Sequence, residues 1–247
     1  MVDDLEALSF EAPFPPADLM HRVSALSNNA EFAAHGRDIF RALQNASPKP
    51  LCEFTNILDF GVGSGRLARM FKGYTGHYHG ADVDHELLNW TAGALPWVKP
   101  LPTFARAKLP CADQQFDCVI SVSVFTHMNE EDSRFYLREL QRVSRPNATL
   151  LLTVHGRRAS ERAMQQANIA DMLAIPRGDI AAASLSMEAG GFHFTKKSGH
   201  LTTDQYEYGI SFTSEPYIRK EWSEFFDVTE VVPGAIHDFQ DIVVGRA

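Results

Sequence analysis

The sequence of 247 residues is short of cysteine, of positive charge and of long apolar runs, and each shortage removes a class of function. The cysteines Cys52, Cys111 and Cys118 lack the paired spacings of a zinc site or a disulfide framework, and Cys118 falls inside an apolar strand. They read as reduced, packed thiols. Lys and Arg number 23 against 31 Asp and Glu, a net charge of −8. That balance argues against broad contact with a phosphate backbone, so nucleic acid is not the expected partner. No apolar stretch approaches the roughly 20 residues that span a bilayer. The opening Met1-Val2-Asp3-Asp4-Leu5-Glu6 is acidic where a secretory leader is basic. A cytoplasmic protein with no membrane partner is expected. The chain also lacks internal repeats, so it is one large domain or one domain with an appendage.

What is present centres on Ile57-Leu58-Asp59-Phe60-Gly61-Val62-Gly63-Ser64-Gly65. An apolar run that ends in an acid and passes into three spaced glycines reads as a buried strand turning sharply into a helix. Glycine tolerates positive φ and lets a ligand lie against the backbone. The spacing narrows the ligand. A dinucleotide fingerprint needs G-x-G-x-x-G, and Arg66 stands where its third glycine belongs. A P-loop needs Gly-Lys-Ser/Thr, which is absent. A nucleoside pressing its ribose on the loop remains. Asp82 ends a second strand about 20 residues on, where an acid reaches both ribose hydroxyls.

Around this loop the pattern alternates. Two helices are expected in residues 10–50, then strands at 57–60, 77–82, 101–105, 116–125 and 149–155 with helices between them. Asn129 is placed to cap the helix before the fifth strand. Residues 156–199 loosen into an amphipathic segment and a glycine-rich loop, which suits a lid or a substrate-contacting insertion. A strand at 208–212, a helix from Ser214-Glu215-Pro216 and a hairpin turning on Pro233-Gly234 finish the chain. The alternation predicts an α/β, doubly wound parallel sheet with its ligand at the carboxyl ends of the strands. We divide it into a helical lead-in or cap, 1–50, and a domain at 51–247 carrying an insertion at 157–205.

The glycine stretch, then Gly80-Ala81-Asp82-Val83-Asp84, Leu109-Pro110 with Phe116-Asp117, and Ser123-Val124-Phe125-Thr126-His127 resemble, in order, the motifs of class I S-adenosylmethionine-dependent methyltransferases. The match runs over about residues 55–156, with a weaker echo in Gln240-Asp241-Ile242-Val243-Val244. Ser-Val-Phe-Thr-His followed by Thr153-Val154-His155-Gly156 is similar to small bacterial members associated with glycan or natural-product assembly. The resemblance implies a Rossmann-like, seven-stranded, mostly parallel sheet whose last strand is antiparallel, and S-adenosyl-L-methionine as cofactor. It implies Asp59, Gly61, Gly63 and Gly65 around the methionine and ribose, Asp82 on the ribose hydroxyls, Val83 and Leu109 by the adenine, and Ser121 beneath the sulfonium. Two departures stand out: Pro146-Asn147-Ala148 replaces the usual Pro-Gly-Gly, and Phe104-Ala105-Arg106-Ala107 lacks the acid many relatives place near the adenine.

Methyl transfer from a sulfonium chiefly requires alignment of two reactants, and a base only for a poorly acidic hydroxyl. His127, just past the fourth strand, and His155, at the end of the fifth, are the candidate catalytic residues, as base or as acceptor-positioning groups; the competing role is ring packing. Arg66 either pairs with the cofactor carboxylate or faces solvent. His237 with Asp241 is a weaker base–carboxylate candidate, and Tyr206 and Tyr208 either line an acceptor pocket or pack. His77 and His79 alternate on a strand face without a third ligand, so no metal is expected. The sequence reading is thus methyl transfer to a small-molecule or saccharide acceptor, at oxygen. Its rivals are an NAD(P)-dependent oxidoreductase, disfavoured by the glycine spacing, and a methyltransferase-like binding module without turnover.

Overall fold

In a computed structural model the described residues are 5–197 and 207–247. Seven strands pair in the order β3-β2-β1-β4-β5-β9-β8, and a separate two-stranded ribbon joins β6 to β7. They are β1 (Asn56–Phe60), β2 (His77–Asp82), β3 (Val98–Pro102), β4 (Phe116–Ser121), β5 (Ser144–Val154), β6 (Phe192–Lys196), β7 (Gly209–Thr213), β8 (Asp227–Ile236) and β9 (Gln240–Arg246). β1 is parallel to β2 and β4, and β2 to β3. β9 runs antiparallel to both β5 and β8. This is the expected mostly parallel sheet with an antiparallel last strand. Along β4, Phe116, Cys118, Val119 and Ile120 have no exposed surface, as a strand covered on both faces requires.

By contact density the chain divides into two compact units, residues 1–120 with 143–148, and residues 121–142 with 149–247. The first unit opens with three helices where two were expected: α1 (Leu5–Glu11), α2 (Ala17–Ser24) and α3 (Asn29–Ala46). Asn28 caps α3, its side chain accepting the Ala30 N–H at 2.8 Å. Pro13 and Pro15-Pro16 break the pattern between α1 and α2, which hides a helix as short as α1 from periodicity. Past the glycines only a 3-10 turn forms, Ala68–Phe71, where a longer helix was expected. α4 (His85–Ala94) is capped by Asp84, and β3 starts three residues earlier than its prolines suggest.

In the second unit Asn129 caps α5 (Glu130–Val143) as expected, accepting the Asp132 N–H at 2.8 Å. Within the region that reads as loose, residues 157–196 form α6 (Arg157–Gln165), α7 (Ala167–Leu173), α8 (Arg177–Glu188) and β6. Its core joins Ala159, Ala163, Ile180 and Ala183 to Phe212 of β7. Contacts built on alanine give little apolar periodicity, which is why the pattern misleads. α9 (Glu215–Glu221) is capped by Ser214 and passes into a 3-10 turn at Trp222–Glu224. The last hairpin does not turn on Pro233-Gly234. It turns on His237 and Asp238, at φ 55° and 53°, closed by the Phe239 N–H on the Ile236 carbonyl at 3.0 Å. Two successive residues at positive φ match the twist of the strands, whereas Pro233-Gly234 lies in an irregular stretch of β8. Among the described residues no helix is long and apolar enough to cross a membrane.

Candidate active site

The glycine loop closes on itself through its backbone. Gly61 and Val62 both donate N–H groups to the Ala81 carbonyl, at 2.8 and 3.1 Å, and Gly65 donates to the Val62 carbonyl at 3.0 Å. Gly61, Gly63 and Gly65 hold φ values of 89°, 54° and 76°. Side chains of ordinary residues are strained there. The loop is also crowded from α2, since a Cβ on Gly63 would stand 3.0 Å from Val23 Cγ1.

Asp82 is built into this loop. Its Oδ2 accepts the Gly63 N–H at 2.7 Å and its Oδ1 the Asp84 N–H at 2.8 Å. Burial raises its pKa and these backbone donors oppose the rise. A carboxylate offers about four lone-pair sites, so two donors leave it capacity for hydroxyls. Asp59, at the end of β1 and buried, accepts the Tyr78 hydroxyl at 2.7 Å. Desolvation pushes its pKa up to about 7, against the pull of Tyr78 and of the Arg66 charge. Arg66 is half-buried, its Nη1 3.0 Å from His35 Nδ1 on α3; burial lowers it to about 10, so it stays charged at neutrality.

Val83 and Phe104 follow the register pair Asp82 and Pro102, and both are left in solvent, at 39% and 64% exposure. Phe104 touches His85 edge-on, ring centroids 5.0 Å apart. Leu109 is buried. In the same unit the Ser64 hydroxyl of the glycine loop is buried with no hydrogen-bond partner among the described residues. Sequence reasoning assigned Ser64 and Tyr78 no role, although a polar residue between two glycines was a visible signal, and it marked Phe104 only as standing in a stretch that lacks the usual acid.

The second unit gathers both candidate histidines on one strand. His127 Nδ1 lies 2.9 Å from the Gly209 carbonyl and His155 Nδ1 3.1 Å from the Ser211 carbonyl. β7 is stitched to the motif residues by its backbone N–H groups on the same edge as well: Gly209 N–H donates to the His127 carbonyl, Ser211 N–H to the Thr126 carbonyl and Thr213 N–H to the His155 carbonyl. A carbonyl accepts, so each ring carries its hydrogen on Nδ1 and presents the Nε2 lone pair. Burial lowers His127 to about 4 and His155 to about 3, which keeps both neutral at pH 7. Tyr208 stacks on His127 at 4.7 Å, and Phe239 packs on His155 at 4.9 Å. Tyr206 lies outside the described residues.

Ser121, the last residue of β4, is fully buried. Ser123 follows at φ 60°, its N–H on Thr153 Oγ1 at 2.8 Å and its hydroxyl accepting from Gln240 Nε2 at 2.9 Å. The suggested His237–Asp241 pair is not the arrangement seen. His237 is exposed at the hairpin turn, while Asp241 is buried and accepts the Gly234 N–H at 2.8 Å. His77 and His79 sit 6.4 Å apart by ring centroid, with Lys99 Nζ 3.1 Å from His77 Nδ1.

Residues 58–152 match a family model described as a methyltransferase domain. Among solved structures, an S-adenosylmethionine-dependent methyltransferase from Mesorhizobium loti superposes with a TM-score of 0.58 at 13% identity, over 85% of this chain and 98% of that one. One from Aquifex aeolicus gives 0.53 at 16%, over 95% and 99%. The glycopeptide N-methyltransferase MtfA with sinefungin gives 0.58 at 14%, over 85% and 93%.

Proposed function

We propose that this chain, a class I S-adenosylmethionine-dependent methyltransferase, delivers its methyl group to a small-molecule or saccharide acceptor, at oxygen. The bound cofactor supplies an electrophilic methyl on a sulfonium. The residues of the first unit suit it chemically: the buried Asp59 and the half-buried Asp82, a guanidinium that stays charged, and a Ser64 hydroxyl that needs a partner. In this reading Asp82 holds the ribose hydroxyls, Asp59 with Gly61, Gly63 and Gly65 receives the methionine portion, and Arg66 balances its carboxylate. Val83 and Leu109 flank the adenine, and Ser121 lies under the sulfonium. The lead-in at 1–50 serves as the cap, consistent with Val23 against Gly63 and with Arg22 Nη1 on Asp84 Oδ2 at 2.9 Å.

Oxygen as the acceptor atom rests on one observation, the Nδ1 hydrogen bond of His127 to the Gly209 carbonyl. It leaves a neutral Nε2 able to take a hydroxyl proton as the new bond forms. His155 presents the same atom from a more buried ring and orients the acceptor. An unprotonated amine is nucleophilic enough to attack without such a base, whereas a neutral, poorly acidic hydroxyl is not. The site lies in a protein of the cytoplasm in this reading.

The reading is tested with labelled S-adenosylmethionine over paired acceptors that differ only in carrying a hydroxyl or an amine. Label passing to hydroxyl acceptors, and sharply less of it in His127→Gln, is expected. Transfer to nitrogen alone, unaffected by that substitution, overturns the oxygen assignment.

A further inference from the structure

Asp59 pairs in register with Gly80, so Tyr78, two residues earlier on β2, faces the same side of the sheet. The tyrosine has no exposed surface and Asp59 only 2%. Its ring is wedged against Phe71, centroids 4.6 Å apart, and its hydroxyl points at Asp59 Oδ2 from 2.7 Å. We propose that Tyr78 is a positioning residue for the cofactor: its hydroxyl holds the Asp59 carboxylate in place for the cofactor's cationic amino-acid end. This rests on the cofactor reading given above.

A buried carboxylate without partners takes up a proton, and a protonated acid has no charge to offer a cation. The groups that act on Asp59 are Tyr78 and Asp82 from β2 and Arg66 from the loop, with the Cys118 thiol of β4 nearby. Burial raises both Tyr78 and Cys118, so they remain a phenol and a thiol. Tyr78 is therefore a permanent donor. Arg66 helps from the loop, Asp82 opposes, and burial is the largest influence of all. Removing the hydroxyl leaves the acid protonated over more of the neutral range. Tyr78→Phe keeps the ring and its packing, so the change is confined to the hydrogen bond.

The test is the affinity for S-adenosylhomocysteine, which keeps the cationic amino group, by titration calorimetry between pH 5.5 and 8.5. Wild type, Tyr78→Phe and Asp59→Asn are compared, each confirmed folded by its melting transition. Wild-type affinity is expected to rise through about pH 7 with release of a proton on binding. In Tyr78→Phe the same curve moves up by about one pH unit, so binding is weaker by about fivefold at pH 7, approaches tenfold weaker toward pH 5.5 and nears wild type at pH 8.5. Asp59→Asn binds weakly with no such rise. A Tyr78→Phe curve that overlies the wild type, or lies below it equally at every pH, overturns the role of Tyr78 alone. A wild type that binds none at any pH overturns the cofactor reading as well.

Discussion

His127 and His155 donate from Nδ1 to carbonyls two residues apart on β7, Gly209 and Ser211. One strand, more than 50 residues further along the chain than either histidine, thus sets the tautomer of both rings. Because burial lowers His127 to about 4, its Nε2 is a free base throughout the neutral range. At saturating cofactor, kcat on a hydroxyl acceptor is expected to hold down to about pH 5 and to fall toward pH 4 as that nitrogen is protonated. A histidine left at its ordinary value would lose activity from about pH 6.5. His127→Gln is expected to lower kcat by about 10²- to 10⁴-fold. S-adenosylhomocysteine affinity, measured alongside, is expected to stay within a few fold of wild type.

Asp82 has two tasks, since the oxygen that accepts the Gly63 N–H also shapes the glycine loop. Asp82→Ala is expected to weaken S-adenosylhomocysteine binding by about 1–3 kcal/mol through lost hydrogen bonds to a charged group. Asp82→Asn retains an acceptor for Gly63 and is expected to lose less. Calorimetric titration of the pair checks the order; equal affinity for both variants and wild type would move the ribose elsewhere.

The sheet was legible because its strands are short apolar runs punctuated by glycine, and a covered strand such as Phe116–Ser121 has few other readings. The glycine loop and Asp82 were legible by spacing. Asn147 was too: it takes φ 66°, as a residue standing in for glycine must. What stayed hidden is tertiary. Nothing around Tyr78 foretells that its hydroxyl meets Asp59, and no spacing links His127 to Gly209 across 82 residues. Of the helices within 157–188, α6 and α7 fall in the amphipathic segment read from the sequence and α8 was missed; the final hairpin was missed because Pro-Gly looks more like a turn than His-Asp.

Gly156 and Asp241 are fitted to each other in a way that allows no side chain. A Cβ on Gly156 would fall 1.7 Å from Asp241 Oδ2, and the carboxylate is fixed by the Gly234 N–H at 2.8 Å. Gly156→Ala is expected to cost about 2–4 kcal/mol in urea unfolding, as an overpacked core site does at the upper end. Asp241→Ala removes the obstructing oxygen. In the double variant the losses are expected to fall short of additivity by at least about 1 kcal/mol. Strict additivity would place the strain elsewhere.

Arg69 is a buried cation that, among the described residues, hydrogen-bonds to carbonyls and not to a carboxylate: Nε donates to the Ser9 carbonyl at 2.9 Å and Nη2 to the Ala12 carbonyl at 2.6 Å. Its guanidinium lies 4.0 Å from the centre of the Phe14 ring and 5.7 Å from that of Phe32. Burial lowers it only to about 10, so it remains charged and its donors never switch off. The arginine thereby ties α1 and the proline-rich link to the turn behind the glycine loop. Arg69→Met fills much of the volume but strands two carbonyls, a cost of about 2–4 kcal/mol. The loss should be local first: limited proteolysis of the variant is expected to cut within residues 5–16 well before the rest of the chain, at a protease level that leaves wild type whole. Cleavage at the same rate in both proteins would mean that α1 is held by its apolar contacts and that the guanidinium adds nothing.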